Sequence, residues 1–272
     1  MADYARSDIK SALDRLPLER GDVVFCHSNI GMFGRCEGVT NSHDLCEVIF
    51  GAIQGRVGSG GTLCFPAFTY SFPRGETFGL STAAPGMGAL AEYAMSGQPW
   101  VYRSLDPCYS VVAHGPGAHR LLSHAPENSF DAAASFFARF WREGGKVLNL
   151  NFDAGSTFVH YVERCLEAPY RFDKTFQGII RRPSGVEWRA KSTIFVRYLD
   201  DALEARFEAF DALARKQGKF VTTKLGRGEM GVISAEDTYN LIAETLPSRP
   251  WFLTKAEAMG VEPDPAKFMS LR

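Results

Sequence analysis

Apolar positions along the chain switch between a 3.6-residue spacing and short unbroken runs, and that alternation predicts the order of elements. Ile9, Ala12, Leu13 and Leu16 share one side of a helix over residues 4–16. Pro17 and Gly21-Asp22 break it, and Val23-Val24-Phe25-Cys26 reads as a short buried strand. The next helix starts near Asn41 or Ser42, with Leu45, Val48, Ile49, Ala52 and Ile53 on one face. Gly58-Ser59-Gly60-Gly61 turns the chain into a strand at Thr62–Phe65. A helix near Met87–Met95, a strand at Tyr109–Ala113, a helix near Ala132–Trp141 and a strand at Val147–Leu150 follow. Strands alternating with helices predict an α/β fold, layered α/β/α around a sheet.

The pattern changes after Arg171. Ile179–Arg182, the turn Pro183-Ser184-Gly185, and Val186–Trp188 read as a hairpin, and Ile194–Tyr198 as a further strand. Leu203, Phe207, Phe210 and Leu213 predict a long helix over residues 201–216. A second hairpin turns at Gly226-Arg227-Gly228, and Ser234 caps a last helix whose first turn carries Glu236 and Asp237. The expected division is an α/β part over residues 1–170 and a smaller α+β subdomain over residues 171–272, with one continuous domain as the alternative. The segment from Thr254 onward carries little signal.

Composition narrows the functions. The 272 residues are 45% hydrophobic, enough for one large core or two smaller ones, with 30 basic and 31 acidic side chains well mixed. No basic stripe points to nucleic acid. No apolar run approaches the ~20 residues of a membrane helix, and the polar start of the chain does not read as a signal peptide. Six cysteines without paired spacing fit buried thiols in a reducing cytoplasm. The expectation is a cytoplasmic protein, monomer or homodimer, with no nucleic-acid or membrane partner and no metal.

Candidate chemistry concentrates in Gly155–Arg171. Ser156 fits a helix N-cap and Pro169 stops the helix. Phe158, Val162, Cys165 and Leu166 form an apolar stripe; His160, Glu163, Arg164 and Glu167 form a polar one. His160 and Glu163 at i and i+3 share a face, so the carboxylate can fix the tautomer of the imidazole and raise its basicity, as a general base requires. On spacing alone a solvated helix face with a chance His–Glu pair is the better reading. Likewise the glycine-bearing loop His27–Gly38 offers backbone N–H groups ahead of a helix, yet matches neither GxGxxG nor the Walker pattern.

The wording around these residues adds a resemblance. Ser156-Thr-Phe-Val-His160-Tyr-Val-Glu163, followed by Pro169-Tyr170-Arg171, resembles the Thr-x-x-His-x-x-Glu and Pro-Tyr-Arg segments of the aminoglycoside 3-N-acetyltransferase family. In the same order come Val24–Ser28 with Gly34, Gly61–Thr69, Asp106-Pro107-x-x-Ser110-Val111 with Gly115, His124-x-x-Glu127–Phe130, and Gly145–Leu148. The resemblance covers roughly residues 5–250. It implies that family's own acetyltransferase fold, not the GNAT fold, and acetyl-CoA-dependent transfer to the amine of an amino sugar, aminoglycoside or other small amine, with His160 as base and Glu163 as its partner. His27, Ser28, Asn29, Ile30, Phe33, Gly34, Arg35, Arg103 and Ser110 would line the coenzyme site. Gly31 stands where relatives often carry Arg, so a phosphate contact is either missing or supplied by Arg35 or Arg103. Phe68 and Tyr70 would wall the acceptor pocket, with Asp106, Glu127 and Asp153 as acceptor-side carboxylates. The rival from another class is a metal-dependent hydrolase using His160, Glu163, His124 and Glu127.

Overall fold

The structure, a computed structural model, describes residues 2–96 and 101–270. The chain builds a seven-stranded sheet and a three-stranded one. Strand β1 (Val23–Ser28) lies mid-sheet, parallel to β2 (Thr62–Pro66), while β3 (Phe78–Gly79) belongs to the small sheet. Beyond β2 come the antiparallel β5 (Val111–His114) and β4 (Val101–Arg103). On its other side β1 pairs in parallel with β6 (Lys146–Leu150), from Val24 opposite Lys146 to Ser28 opposite Leu150. The long strands β7 (Arg171–Arg181) and β8 (Glu187–Arg197) join β3. Antiparallel β9 (Val221–Leu225) and β10 (Gly228–Ser234) return to the main sheet, β10 against β6.

Both faces of this sheet are covered, as all-apolar strands require. Val23 and Phe25 enter one core, Val24 and Cys26 the other, because successive side chains of a strand point to opposite faces. Helices α1 (Arg6–Asp14), α2 (Ser42–Val57) and α3 (Ala89–Met95) supply the second core. The first core is supplied by α4 (Ala118–Leu122), α5 (Phe136–Arg142), α6 (Phe158–Cys165), α7 (Glu208–Lys216) and α8 (Ala235–Thr245). The short α9 (Lys255–Met259) and α10 (Pro265–Phe268) follow, in the segment whose sequence carried little signal. No helix among the described residues is long and apolar enough to cross a membrane.

Several expectations change. The sheet and the first core run across the expected boundary at residues 170/171, since β9, β10, α7 and α8 complete them. Ile194–Arg197 is no separate strand: β8 pairs with β7 over eleven residues, from Arg171 opposite Arg197 to Arg181 opposite Glu187. The helix expected over 201–216 is a 3-10 turn at Asp201–Leu203 and then α7, because residues 204–206 pair elsewhere. The Arg206 N–H donates to the Leu253 carbonyl, and the Lys255 N–H to that of Glu204. On α2 the buried stripe is Cys46, Ile49, Phe50, Ile53 and Val57, one position round from the expected face. Val48 and Ala52 instead edge an open groove against α1. The helix near 132–141 starts only at Phe136, where Ser135 caps it by accepting the Ala138 N–H. Ser234 caps α8 as expected, accepting the N–H of Asp237.

Candidate active site

The carboxyl ends of β1, β2 and β6 lie side by side, the edge where open α/β sheets commonly receive ligands. Beyond β6 the chain turns sharply before α6, and Asn149 builds that turn. Its position faces the first core and is fully buried; its Nδ2 donates to the carbonyls of Asp153 and Gly155. Asn151, in the left-handed conformation at φ 62, donates through Nδ2 to the Asn29 carbonyl and accepts the Glu229 N–H. Three segments are thereby fixed where α6 begins. Ser156 does not cap that helix: Thr157 is the N-cap residue, without a side-chain cap, and the Ser156 Oγ is buried with no partner among the described residues.

His160 and Glu163 meet as their spacing predicts, but not on a solvated face. His160 Nδ1 lies 2.6 Å from Glu163 Oε2, and Glu163 is entirely buried, while the His160 side chain is 18% exposed. The Tyr170 hydroxyl donates to Glu163 Oε1 at 2.6 Å. Arg171 Nε stands 2.8 Å from Oε2, though its N–H is not aligned on that oxygen, so the contact is an ion pair rather than a hydrogen bond. Burial pushes the His160 imidazole below its ordinary value and Arg171 pushes the same way; Glu163 opposes both without prevailing. The expected rise in basicity is therefore reversed, and the ring is neutral near pH 7. For Glu163, burial alone would raise the carboxyl, but Arg171, His160 and Tyr170 hold it below the usual carboxylate range. With Nδ1 bonded to a carboxylate, the proton of the neutral ring sits on Nδ1. Nε2 is left as the acceptor, without a partner among the described residues.

A cavity of about 370 Å³ opens at the strand ends, lined by His27, Ser28, Asn29, Pro66, Phe68, Met87 and Phe152 among others. His27 lines it, but its Nε2 is enclosed without a partner among the described residues. Burial pushes that imidazole down to about 4. From the cavity an aromatic wall leads to His160. Phe68 packs on Tyr109 (ring centroids 5.0 Å apart), Tyr109 on Phe130 (4.8 Å), and Phe130 meets His160 edge-on at 6.3 Å. Tyr70 packs on both Phe68 and Tyr109 behind the wall.

Of the expected coenzyme residues, His27, Ser28 and Asn29 reach the cavity; the others have different work. Ile30 and Phe33 are core side chains. Gly34 and Arg35 lie against the N-terminal segment, with the Arg35 N–H donating to Asp3 Oδ2. Arg103 is spent on the fold: it donates to the carbonyls of Ala67, Leu80 and Thr82 and to Ser110 Oγ, and burial pushes it down to about 10. Ser110 is fully buried and donates to the Ala67 carbonyl. Neither arginine expected at a phosphate lines the cavity.

The acceptor-side carboxylates also separate. Asp106 accepts the N–H groups of Cys108 and Tyr109, closing a buried turn, and burial raises its carboxyl. Glu127 is exposed, and its carbonyl accepts the Thr193 N–H. Asp153 lies in the turn that launches α6, accepting the Gly155 N–H. Its carboxyl is raised by burial, with Asp211 and Glu208 adding to the rise. The rival metal set is not assembled: among the described residues, only His43, Asp44 and Glu47 bring three potential ligand atoms within 4.8 Å of one another. Sequence reasoning gave no role to Tyr170, Arg171, Asn149, Phe130, Phe152 or Phe207, whose ring lies 6.1 Å from that of His160. A signal existed for three of them, the polar Asn149 in an apolar strand and the Tyr170-Arg171 pair just past the helix stop.

An imidazole aligned by a buried carboxylate, with its second nitrogen unpartnered among the described residues, has the chemistry to accept a proton. A family model for aminoglycoside 3-N-acetyltransferase matches residues 25–247. Aminoglycoside N(3)-acetyltransferase III of Salmonella sp is 26% identical over 265 residues, covering 89% of this chain and 88% of that one. Two solved structures share the fold: AAC-IIIb in binary complex with CoASH (TM-score 0.76, 20% identity, 90% of this chain and 97% of that one) and AAC-VIa bound to sisomicin (TM-score 0.74, 21% identity, 90% and 98%). The chain belongs to the aminoglycoside 3-N-acetyltransferase family. It is an acyltransferase.

Proposed function

We propose that this protein moves an acetyl group from acetyl-CoA to a primary amine of an aminoglycoside or related amino sugar, with His160 as general base. Family membership and the relative with bound CoASH support the donor; the relative with bound sisomicin supports the acceptor class. The observation that carries the reading is the wholly buried Glu163 on Nδ1 of His160, which leaves Nε2 free to accept a proton.

The strand-end cavity suits the neutral pantetheine arm of the coenzyme. Pro66, Phe68, Met87 and Phe152 give it apolar walls, Ser28 and Asn29 give polar contacts, and no cationic side chain lines it. A protonated amine is no nucleophile, so neutral His160 takes the amine proton at Nε2 as the nitrogen attacks the thioester carbonyl. The C–N bond forms, the C–S bond breaks, and the thiolate leaves to be protonated. Glu163 stabilises the imidazolium that forms meanwhile. The direct transfer requires no cysteine nucleophile, and burial pushes the thiols of Cys26, Cys64 and Cys108 upward, away from the reactive thiolate.

Thiol release from acetyl-CoA, measured over a panel of aminoglycosides, amino sugars and nucleotide-linked amino sugars, tests the proposal. Turnover with at least one amine is expected, and His160→Ala should lower it by about two to four orders of magnitude while leaving acetyl-CoA binding intact. Full activity in His160→Ala with a protonated acceptor would remove His160 as the base; no turnover on any amine would remove the acetyl-transfer reading itself.

A further inference from the structure

We infer that Arg171 is a positioning residue of the reaction, setting the protonation of His160 through the carboxylate that the two side chains share. The inference rests on His160 acting as base and goes beyond it, because it explains how a base held by a carboxylate stays unprotonated. A lone buried carboxylate against an imidazole favours the charged ring, which at neutral pH would already hold the proton it must accept. Here one oxygen, Glu163 Oε2, faces both His160 Nδ1 at 2.6 Å and Arg171 Nε at 2.8 Å. Glu163 is entirely buried and the Arg171 side chain only 6% exposed, so water screens neither contact. The Glu163–Arg171 pair is neutral as a unit. Toward the imidazole it presents an oriented acceptor with little net charge.

The surroundings leave few other sources for the effect. Glu163 comes from the same helix as His160, Tyr170 from the turn just before β7 and Arg171 from the first position of that strand. The uncharged Phe130 and Phe207 rings also pack against the imidazole, at 6.3 and 6.1 Å between centroids, and Arg171 and Glu163 are the charged groups that act on it. Tyr170 occupies the other carboxylate oxygen, Oε1, so the carboxylate cannot rotate its charge away from Arg171 without losing that bond. Arg171 is itself held, donating through Nη1 to the Phe195 carbonyl on β8 at 3.1 Å. The long hairpin thereby fixes the guanidinium against the catalytic pair. The downward push on His160, set first by burial and then by Arg171, agrees with this geometry.

The test compares four variants by two readouts: the acid limb of kcat/KM against pH, and the titration of His160 followed by NMR in histidine-labelled protein, which needs no activity. Arg171→Leu should raise the His160 pKa and move the acid limb up by about one pH unit or more. Activity should be lost near neutral pH and largely recovered in alkali. Arg171→Lys, which restores the cation, should return both readouts toward the native values. Arg171→Leu leaves an unpaired buried carboxylate and can fail to fold. The double variant Glu163→Gln/Arg171→Leu removes both charges, and its His160 pKa should stay near the native value, whereas Glu163→Gln alone should lower it. An unmoved titration in folded Arg171→Leu overturns the inference, and so does a double variant titrating as low as Glu163→Gln. A shifted titration with unaltered activity at every pH would instead count against His160 as the base, which separates the two failures.

Discussion

His27 makes the sharpest prediction about stability. Its imidazole is pushed from an ordinary value near 6.5 down to about 4, because Nε2 is enclosed without a partner and cannot solvate a charge. The folded state therefore refuses a proton that the unfolded chain accepts between those values. The sign follows from linkage: a depressed histidine contributes stability that is present above about pH 6.5 and lost as pH falls toward the folded value. Each pKa unit is worth about 1.4 kcal/mol, so full loss amounts to roughly 3 kcal/mol, of which about 2 kcal/mol is gone by about pH 5. Against a typical total of about 5–15 kcal/mol that is a large share. Urea unfolding of the native protein and of His27→Phe, measured near pH 7.5 and again near pH 5, isolates the effect. Phenylalanine keeps the edge contact with Phe25, whose ring centroid lies 4.6 Å from that of His27, but cannot titrate. The variant should lose about 2 kcal/mol less than the native protein over that interval. Other depressed histidines, His114 and His160, contribute equally to both proteins and cancel. Parallel losses in the two proteins would show that His27 gains no proton on unfolding, refuting the reasoning.

Two further outcomes follow from the site. Glu163→Gln keeps the shape but removes the charge that stabilises the imidazolium, so it should cost less activity than His160→Ala and shift the acid limb of the rate profile to lower pH; a shift to higher pH contradicts the assignment. Gly88 sits at φ 92, and a Cβ there would come 2.8 Å from the Ser28 carbonyl at the cavity wall. Gly88→Ala should therefore cost about 1–3 kcal/mol in urea unfolding and raise the KM for acetyl-CoA, and unchanged values of both would show that the wall adapts freely.

Helices α1, α2 and α3 and strands β1, β2, β5 and β6 were legible because their signals are local: turn residues, caps and period. What was misread involved partners far along the chain. Residues 204–206 have helical composition, yet their backbone bonds go to residues 253 and 255, which no local window contains. The His160–Glu163 pair was visible as spacing, but its burial was not, since Tyr170 and Arg171 only close over Glu163 when β7 folds back. Arg103 was expected at a phosphate, as one alternative with Arg35, because Gly31 stands where relatives often carry Arg. Its four acceptors, three of them carbonyls from two separate loops, exist only in the folded chain.

The place of β10 beside β6 has a consequence for biosynthesis. Every residue of β6 but Lys146 is buried, and one of its two edges is covered by residues 230–234 alone. A ribosome emitting about 5–20 residues each second needs on the order of ten seconds to pass from β6 to β10. During that interval the nascent sheet carries an apolar strand with an open row of backbone donors and acceptors, the kind of edge that recruits other chains. Fragments ending between the two strands should therefore accumulate in aggregates, while chains long enough to supply residues 230–234 cover the edge themselves.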